Sequence, residues 1–159
     1  MRYALMTEPQ QGYSYQDILD AANAAKAAGF ETYFRSDHYS SFPGEEGLPA
    51  TDCWTTLAGL ARSTERIRLG AVITNVLPSY RSLALLAKQA STVASLSDGR
   101  LDFRTGVGAD SFFARRWWEP FGVDYPDYGQ RLADLAEALD KLPLIWAGEP
   151  LVPHAEQES

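Results

Sequence analysis

Residues 67–73 read Ile-Arg-Leu-Gly-Ala-Val-Ile, apolar throughout apart from Arg68. A strand with one wet face alternates apolar and polar residues. A continuous apolar run is instead a strand buried on both faces, as in a parallel sheet covered by helices. Shorter strand-like runs lie at residues 3–6, 32–34 and 101–105, and each strand is followed by a helical pattern. Ser14 with Asp17 three residues on makes a capping-box start. Ile18, Ala22 and Ala25 follow at helical spacing, and Gly29 stands where a C′ glycine ends a helix. Asp52 caps the next helix, whose apolar face is Trp54, Leu57, Ala58 and Ala61. A third, over 82–97, buries Leu86, Ala90 and Val93. The fourth runs over 128–142, with Leu132, Leu135, Ala136 and Leu139 on one face and Pro143 as its stop.

The order βαβαβαβα requires right-handed crossovers and a parallel sheet, so the expected class is α/β. Two architectures satisfy the pattern alone: about four βα units of a (β/α)8 barrel, or a small doubly wound open sheet. The 159 residues suit one domain, expected over 1–149, with 150–159 a disordered tail. A net charge of −7 argues against nucleic acid or anionic membrane as partners, since both select basic surfaces. No apolar run approaches the ~18 residues of a membrane span. The N-terminus lacks a signal-peptide core, and the single Cys53 excludes an intramolecular disulfide. The expected location is cytoplasmic.

Chemistry concentrates where strands end. Phe34-Arg35-Ser36-Asp37-His38-Tyr39 passes from apolar strand to titratable side chains within six residues. That is what the C-terminal rim of a β/α barrel needs, with rigidity below and function above. An imidazole there suits proton transfer because its ordinary pKa lies near neutrality; the bland role for His38 is capping loop carbonyls. Glu8, just past the first strand, pairs across the rim with His38 as acid and base, or is a solvated loop acid. Arg35 points into the barrel or pairs with Asp37, the pairing being the structural expectation. Gly106-Val107-Gly108 lacks the rest of a dinucleotide fingerprint; its value is steric, letting backbone approach a flat ring. Arg115-Arg116-Trp117-Trp118 reads first as an amphipathic helix packing its indoles, with a pocket lid as the alternative. Cys53 has no activating partner and reads as a small core residue. No cluster has metal-ligand spacing.

Several of these segments, in this order, resemble the luciferase-like family of flavin- and deazaflavin-dependent oxidoreductases. They are Ala27-Ala28-Gly29-Phe30, Ser36-Asp37-His38 and Arg66-Ile67-Arg68-Leu69-Gly70, then Ser97-Asp98-Gly99-Arg100-Leu101 leading to Gly106-Val107-Gly108. Leu144-Ile145-Trp146-Ala147-Gly148 closes the set. The resemblance implies half of a (β/α)8 barrel, since a full one takes roughly 250 residues. The chain is then a fragment or truncated member of the family, or a half completed by oligomerisation, as a homodimer or with a complementary half-barrel. An isolated half would leave two sheet edges and an apolar interior face exposed.

By the same resemblance, Asp37 hydrogen-bonds the polar edge of a bound coenzyme F420, and His38 donates or accepts the proton or steadies a developing anion. Thr74 and Asn75 lie beneath a flavin. A non-proline cis peptide falls at Val72–Ile73 or the bond following. Gly106 and Gly108 approach the ring. Asp110 stands where relatives have a third glycine, Ser111 where some have a carboxylate, and Arg104 where they have a small or apolar residue. The implied activity is flavin-dependent monooxygenation with FMN, or F420-dependent hydride transfer, on a small organic substrate. The rival expectation is a non-catalytic half-barrel that binds or assembles, lacking the phosphate site that barrels build after strands seven and eight.

Overall fold

The computed structural model describes residues 1–42 and 44–151, so most of the tail expected to be disordered lies outside the described residues. The elements are β1 (Ala4–Thr7), α1 (Tyr15–Ala27), β2 (Thr32–Arg35), α2 (Cys53–Ser63), β3 (Arg68–Ala71), α3 (Leu83–Leu96), β4 (Leu101–Asp102), α4 (Ser111–Trp118) and α5 (Tyr128–Ala147), with a 3-10 turn at Glu119–Phe121. All strand pairs are parallel, in the order β1-β2-β3-β4. Strand order follows chain order without the reversal of a doubly wound sheet, so each crossover helix lands on one face. The result is the winding of a barrel, with four βα units present.

Helix starts are set by the side chains that their sequence offers. Ser14 and Asp17 close the full capping box. The Asp52, Ser82 and Asp127 side chains accept from the Thr55, Leu85 and Gln130 amides at 2.7, 3.2 and 3.0 Å. Each such cap contributes about 1 kcal/mol by satisfying an otherwise unpaired amide.

Register divides the strand residues into two sets. Leu5, Tyr33, Leu69 and Leu101 lie side by side. They pack under Ile18, Trp54, Leu57 and Leu86, forming the core between sheet and helices. On the opposite face the neighbours are Met6, Phe34, Gly70 and Asp102, with Thr32 beside Arg68 below them. Here the expectation of an apolar interior face fails. The Asp102 carboxylate accepts from Thr32 Oγ1 at 3.0 Å and Arg68 Nε at 2.8 Å, and the Arg104 guanidinium lies 4.8 Å over the Phe34 ring. Gly70 makes that layer possible: a Cβ there would meet the Phe34 ring at 2.7 Å and collide with the Asp102 carbonyl oxygen.

The last helix departs from expectation twice. It passes through Pro143 and ends at Gly148, in the left-handed region at φ 80°. A proline one turn from the end removes a single ladder bond, while Leu142 stays buried and Trp146 Nε1 donates to the Ala87 carbonyl at 3.0 Å. The buried stripe is also turned by one residue. Arg131, Ala138 and Leu142 face inward, whereas Leu132 and Leu139 are exposed. The sequence signal was masked because Arg131, a charged residue, occupies the buried phase.

Candidate active site

The C-terminal ends of β2, β3 and β4 surround a cavity of about 280 Å³. Its wall includes Asp37, His38, Val72, Ile73, Asn75, Gly106 and Gly108, so seven of the site residues expected from sequence share one space.

Asp37 is buried, and both of its carboxylate oxygens are engaged. Oδ1 accepts from Tyr80 Oη at 2.9 Å and Arg81 Nη2 at 2.7 Å; Oδ2 accepts from the Asn75 amide at 3.2 Å. The Arg81 side chain is itself 8% exposed. Burial and the neighbouring Asp37 charge push the Tyr80 hydroxyl's pKa up, so it stays protonated as a donor. Asp37 therefore ties the end of β2 to the loop that follows β3. Its expected partner, Arg35, goes elsewhere: Arg35 donates to the Thr51 and Asp52 carbonyls and Thr51 Oγ1, bracing the start of α2. Arg35 sits at the end of β2, beside the start of α2, and Arg81 pairs with the carboxylate in its place.

His38 presents its ring to the cavity between Phe42, at 4.3 Å edge-on, and Trp118, at 5.6 Å. Burial lowers its pKa from the usual 6.5, against the Glu8 and Asp37 charges, which pull it up. The imidazole is thus neutral at pH 7. Its Nδ1 is buried, with no hydrogen-bond partner among the described residues. A buried ring nitrogen without a partner carries a desolvation cost.

The peptide bond Val72–Ile73 is cis, as the resemblance implied. Ile73 Cδ1 stands 2.9 Å from where a Cβ on Gly106 would lie, and a Cβ on Gly108 would strike the Tyr125 hydroxyl. Glycines at both positions keep this wall flat. Thr74 does not line the cavity; it is fully buried, and its carbonyl accepts from Thr105 Oγ1 at 2.8 Å across to the β4 side. Glu8 faces a neighbouring cavity of about 380 Å³ with Tyr13, Asp17 and Tyr33, and bonds Gln10 Nε2 at 2.6 Å. It reaches His38 through its charge alone.

The far wall was not foreseen in full. Trp117 and Trp118 of α4 both line the cavity, and both pack in a cluster with Leu77, Ala114, Val123 and Tyr125, as the packing reading expects. Trp117 stacks on Phe42 at 3.8 Å, and Trp118 meets Tyr80 edge-on at 4.9 Å. Tyr125 and Arg131 complete this side. The Arg131 guanidinium donates to the Val107, Ala109 and Pro126 carbonyls at 2.8, 2.9 and 2.6 Å, fixing the glycine segment to α5. Its signal in the sequence was a charged residue on a helix's apolar phase. Cys53 is buried, its thiol pKa pushed well up by burial. Among the described residues no acidic, histidine or cysteine cluster could hold a metal, and no helix is long and apolar enough to cross a membrane.

A flat cofactor ring fits this wall: the cavity is largely apolar, and Ile73, Gly106, Gly108 and the His38 ring all line it. Known proteins bear on the question. The chain is 31% identical over 138 residues to an F420-dependent glucose-6-phosphate dehydrogenase of Beutenbergia cavernae, covering 86% of this chain and 39% of the relative. It spans about two fifths of the length of the curated relatives it matches. Among solved structures, the FMN-bound oxygenating constituent of 3,6-diketocamphane monooxygenase from Pseudomonas putida superposes with a TM-score of 0.74 at 20% identity, over 98% of this chain and 42% of that one. The F420-dependent tetrahydromethanopterin reductase of Methanopyrus kandleri gives 0.66 at 21% identity, over 90% and 39%. With the family model for luciferase-like monooxygenases matching residues 1–157, the chain belongs to that family.

Proposed function

We propose that residues 1–149 form the catalytic half of an oxidoreductase that seats F420 or FMN against the Val72–Ile73 and Gly106–Gly108 wall and acts on a small organic substrate. The observation that carries this reading is the His38 ring on the wall of a largely apolar cavity that Ile73, Gly106 and Gly108 also line. F420 is the favoured cofactor, because the Asp37-His38 pair sits at the rim and the curated relative named above is F420-dependent. The bound cofactor would supply the redox chemistry, hydride transfer with F420 or monooxygenation with FMN. His38, held neutral by burial, accepts or donates one proton through its ring. Glu8 tunes that imidazole from the adjoining cavity. Asp37 positions the site, since its oxygens are occupied by Tyr80, Arg81 and Asn75. Trp117 and Trp118 exclude water. A lone buried thiol suits a reducing, cytoplasmic setting.

The non-catalytic reading draws on one observation, the polar Thr32–Asp102–Arg68 contacts on the face of the sheet away from the helices. Incubation with FMN, reduced FMN and F420, followed by gel filtration and absorbance of the retained material, separates the two. Retention of one cofactor, abolished by Gly106→Val, supports the enzyme. Failure to retain any of them rejects this wall as a cofactor seat in the chain.

A further inference from the structure

His38 is held through two residues, Tyr80 and Arg81, that do not line its cavity. The Asp37 side chain is fully buried, and the nearly buried Arg81 pairs with it at 2.7 Å. Tyr80 Oη donates to the same carboxylate oxygen at 2.9 Å. Arg81 Nη1 is buried with no hydrogen-bond partner among the described residues, so the guanidinium is committed to this carboxylate. A buried carboxylate depends on such a cation: left unpaired, it takes up a proton instead of staying charged. Tyr80 also closes a circuit of rings. It meets Trp118 edge-on at 4.9 Å, Trp118 meets His38 at 5.6 Å, and His38 follows Asp37 in the chain. The imidazole is thereby tied at its backbone through Asp37 and at its ring through Trp118.

We infer that Tyr80 and Arg81 are positioning residues for His38: they keep the Asp37 carboxylate ionised and fixed, so that its negative charge acts on the imidazole from a set place. They matter to the proposed reaction only through that ring, and this role rests on the reading of His38 as the proton carrier. Burial disfavours the protonated imidazole; Glu8, beyond β1, and Asp37 favour it, and Arg35, at the end of β2, opposes it. Glu8 is bonded by Gln10, and Arg35 is engaged with the start of α2. From α4 the indoles Trp117 and Trp118 line the cavity, while Arg115 and Arg116 are exposed. Arg131 of α5 shares the wall but donates to the Val107, Ala109 and Pro126 carbonyls. Asp37 is therefore the charge on His38 whose state is governed by the loop after β3.

The test is an NMR titration of the His38 ring in a His154→Gln background, which leaves one imidazole in the chain. Asp37→Asn removes the charge and should lower the His38 midpoint by about 0.5 pH unit or more. Arg81→Met should lower it equally, and the double variant no further, because the carboxylate through which Arg81 acts is already neutral. Arg81→Lys should restore most of the original midpoint. Tyr80→Phe, which keeps the ring contacts, should give a smaller fall in the same direction. A midpoint that rises or stays in place in Arg81→Met overturns the inference, and so does an additive double variant. If circular dichroism shows that Arg81→Met does not fold, Tyr80→Phe decides: a fall supports the role, and an unmoved midpoint overturns it. The titration is read without cofactor, so its failure leaves cofactor retention standing, and a chain that retains no cofactor still reports the midpoint.

Discussion

On the helix-covered side of the sheet, Leu5, Tyr33, Leu69 and Leu101 pack dry under four helices, whereas on the other side Thr32, Arg68 and Asp102 bond one another and Arg104 lies over Phe34. A complete barrel fills its lumen with layers of bulky apolar side chains. Here only the helix side behaves as a core. The difference teaches that dry packing and polar pairing lie on opposite faces of the same four strands, with the candidate site on the rim between them.

The largest effect should come from the dry side. Leu69 is fully buried, and Leu69→Ala should lower the unfolding free energy by about 3 kcal/mol, from lost transfer energy and the cavity left behind. Urea titration measures it. A loss below about 1 kcal/mol would mean that the helix layer is not what holds the sheet. Gly70 sits where the two faces trade space, and Gly70→Ala should cost about 1–3 kcal/mol, because the new methyl meets backbone and not a flexible tip. Near-neutral behaviour there would show that Phe34 can leave its place cheaply.

The smallest effect belongs to the polar side. Asp102→Asn should destabilise by under about 1 kcal/mol at pH 7, since the pair is partly solvated. The folded Asp102 pKa lies below the ordinary 3.8. Its contribution is therefore fully present above that pH and is lost as pH falls through the folded value. Thermal melts of wild type and variant should differ by a constant amount from pH 7 to 5 and converge below about pH 3.8. Convergence well above that pH would break the assignment of this carboxylate to the Arg68 bond.

Local signals in the sequence carried far where one residue decides a local geometry. Ser14, Asp52 and Ser82 cap their helices because a short oxygen-bearing side chain at that point has an amide to satisfy. The Asp37–His38 rim and the two glycines were legible for a similar reason: a strand end followed by polar residues leaves few places for them to go. What escaped depended on partners distant in sequence. Asp37 is claimed by Arg81 and Tyr80, more than 40 positions away, while the adjacent Arg35 turns to Thr51. Thr74 and Asn75 are neighbours, yet a bridge between Thr74 and Thr105 buries one and leaves the other on the cavity wall. The concave face misled for a subtler reason: a two-residue repeat of polar side chains is short in β3 and β4 and is hidden inside runs that look apolar on average.

Trp118 is 4% exposed, forms part of the cavity wall, stacks parallel to Tyr125 at 6.2 Å, and meets Tyr80 edge-on. Tyr80 in turn holds the carboxylate beside His38. An indole so placed senses both what enters the hollow and whether the buried lock behind it stays closed. Its ultraviolet emission is an intrinsic gauge of occupancy, readable without a label, and Trp118→Phe gives the blank that isolates it from the other three tryptophans.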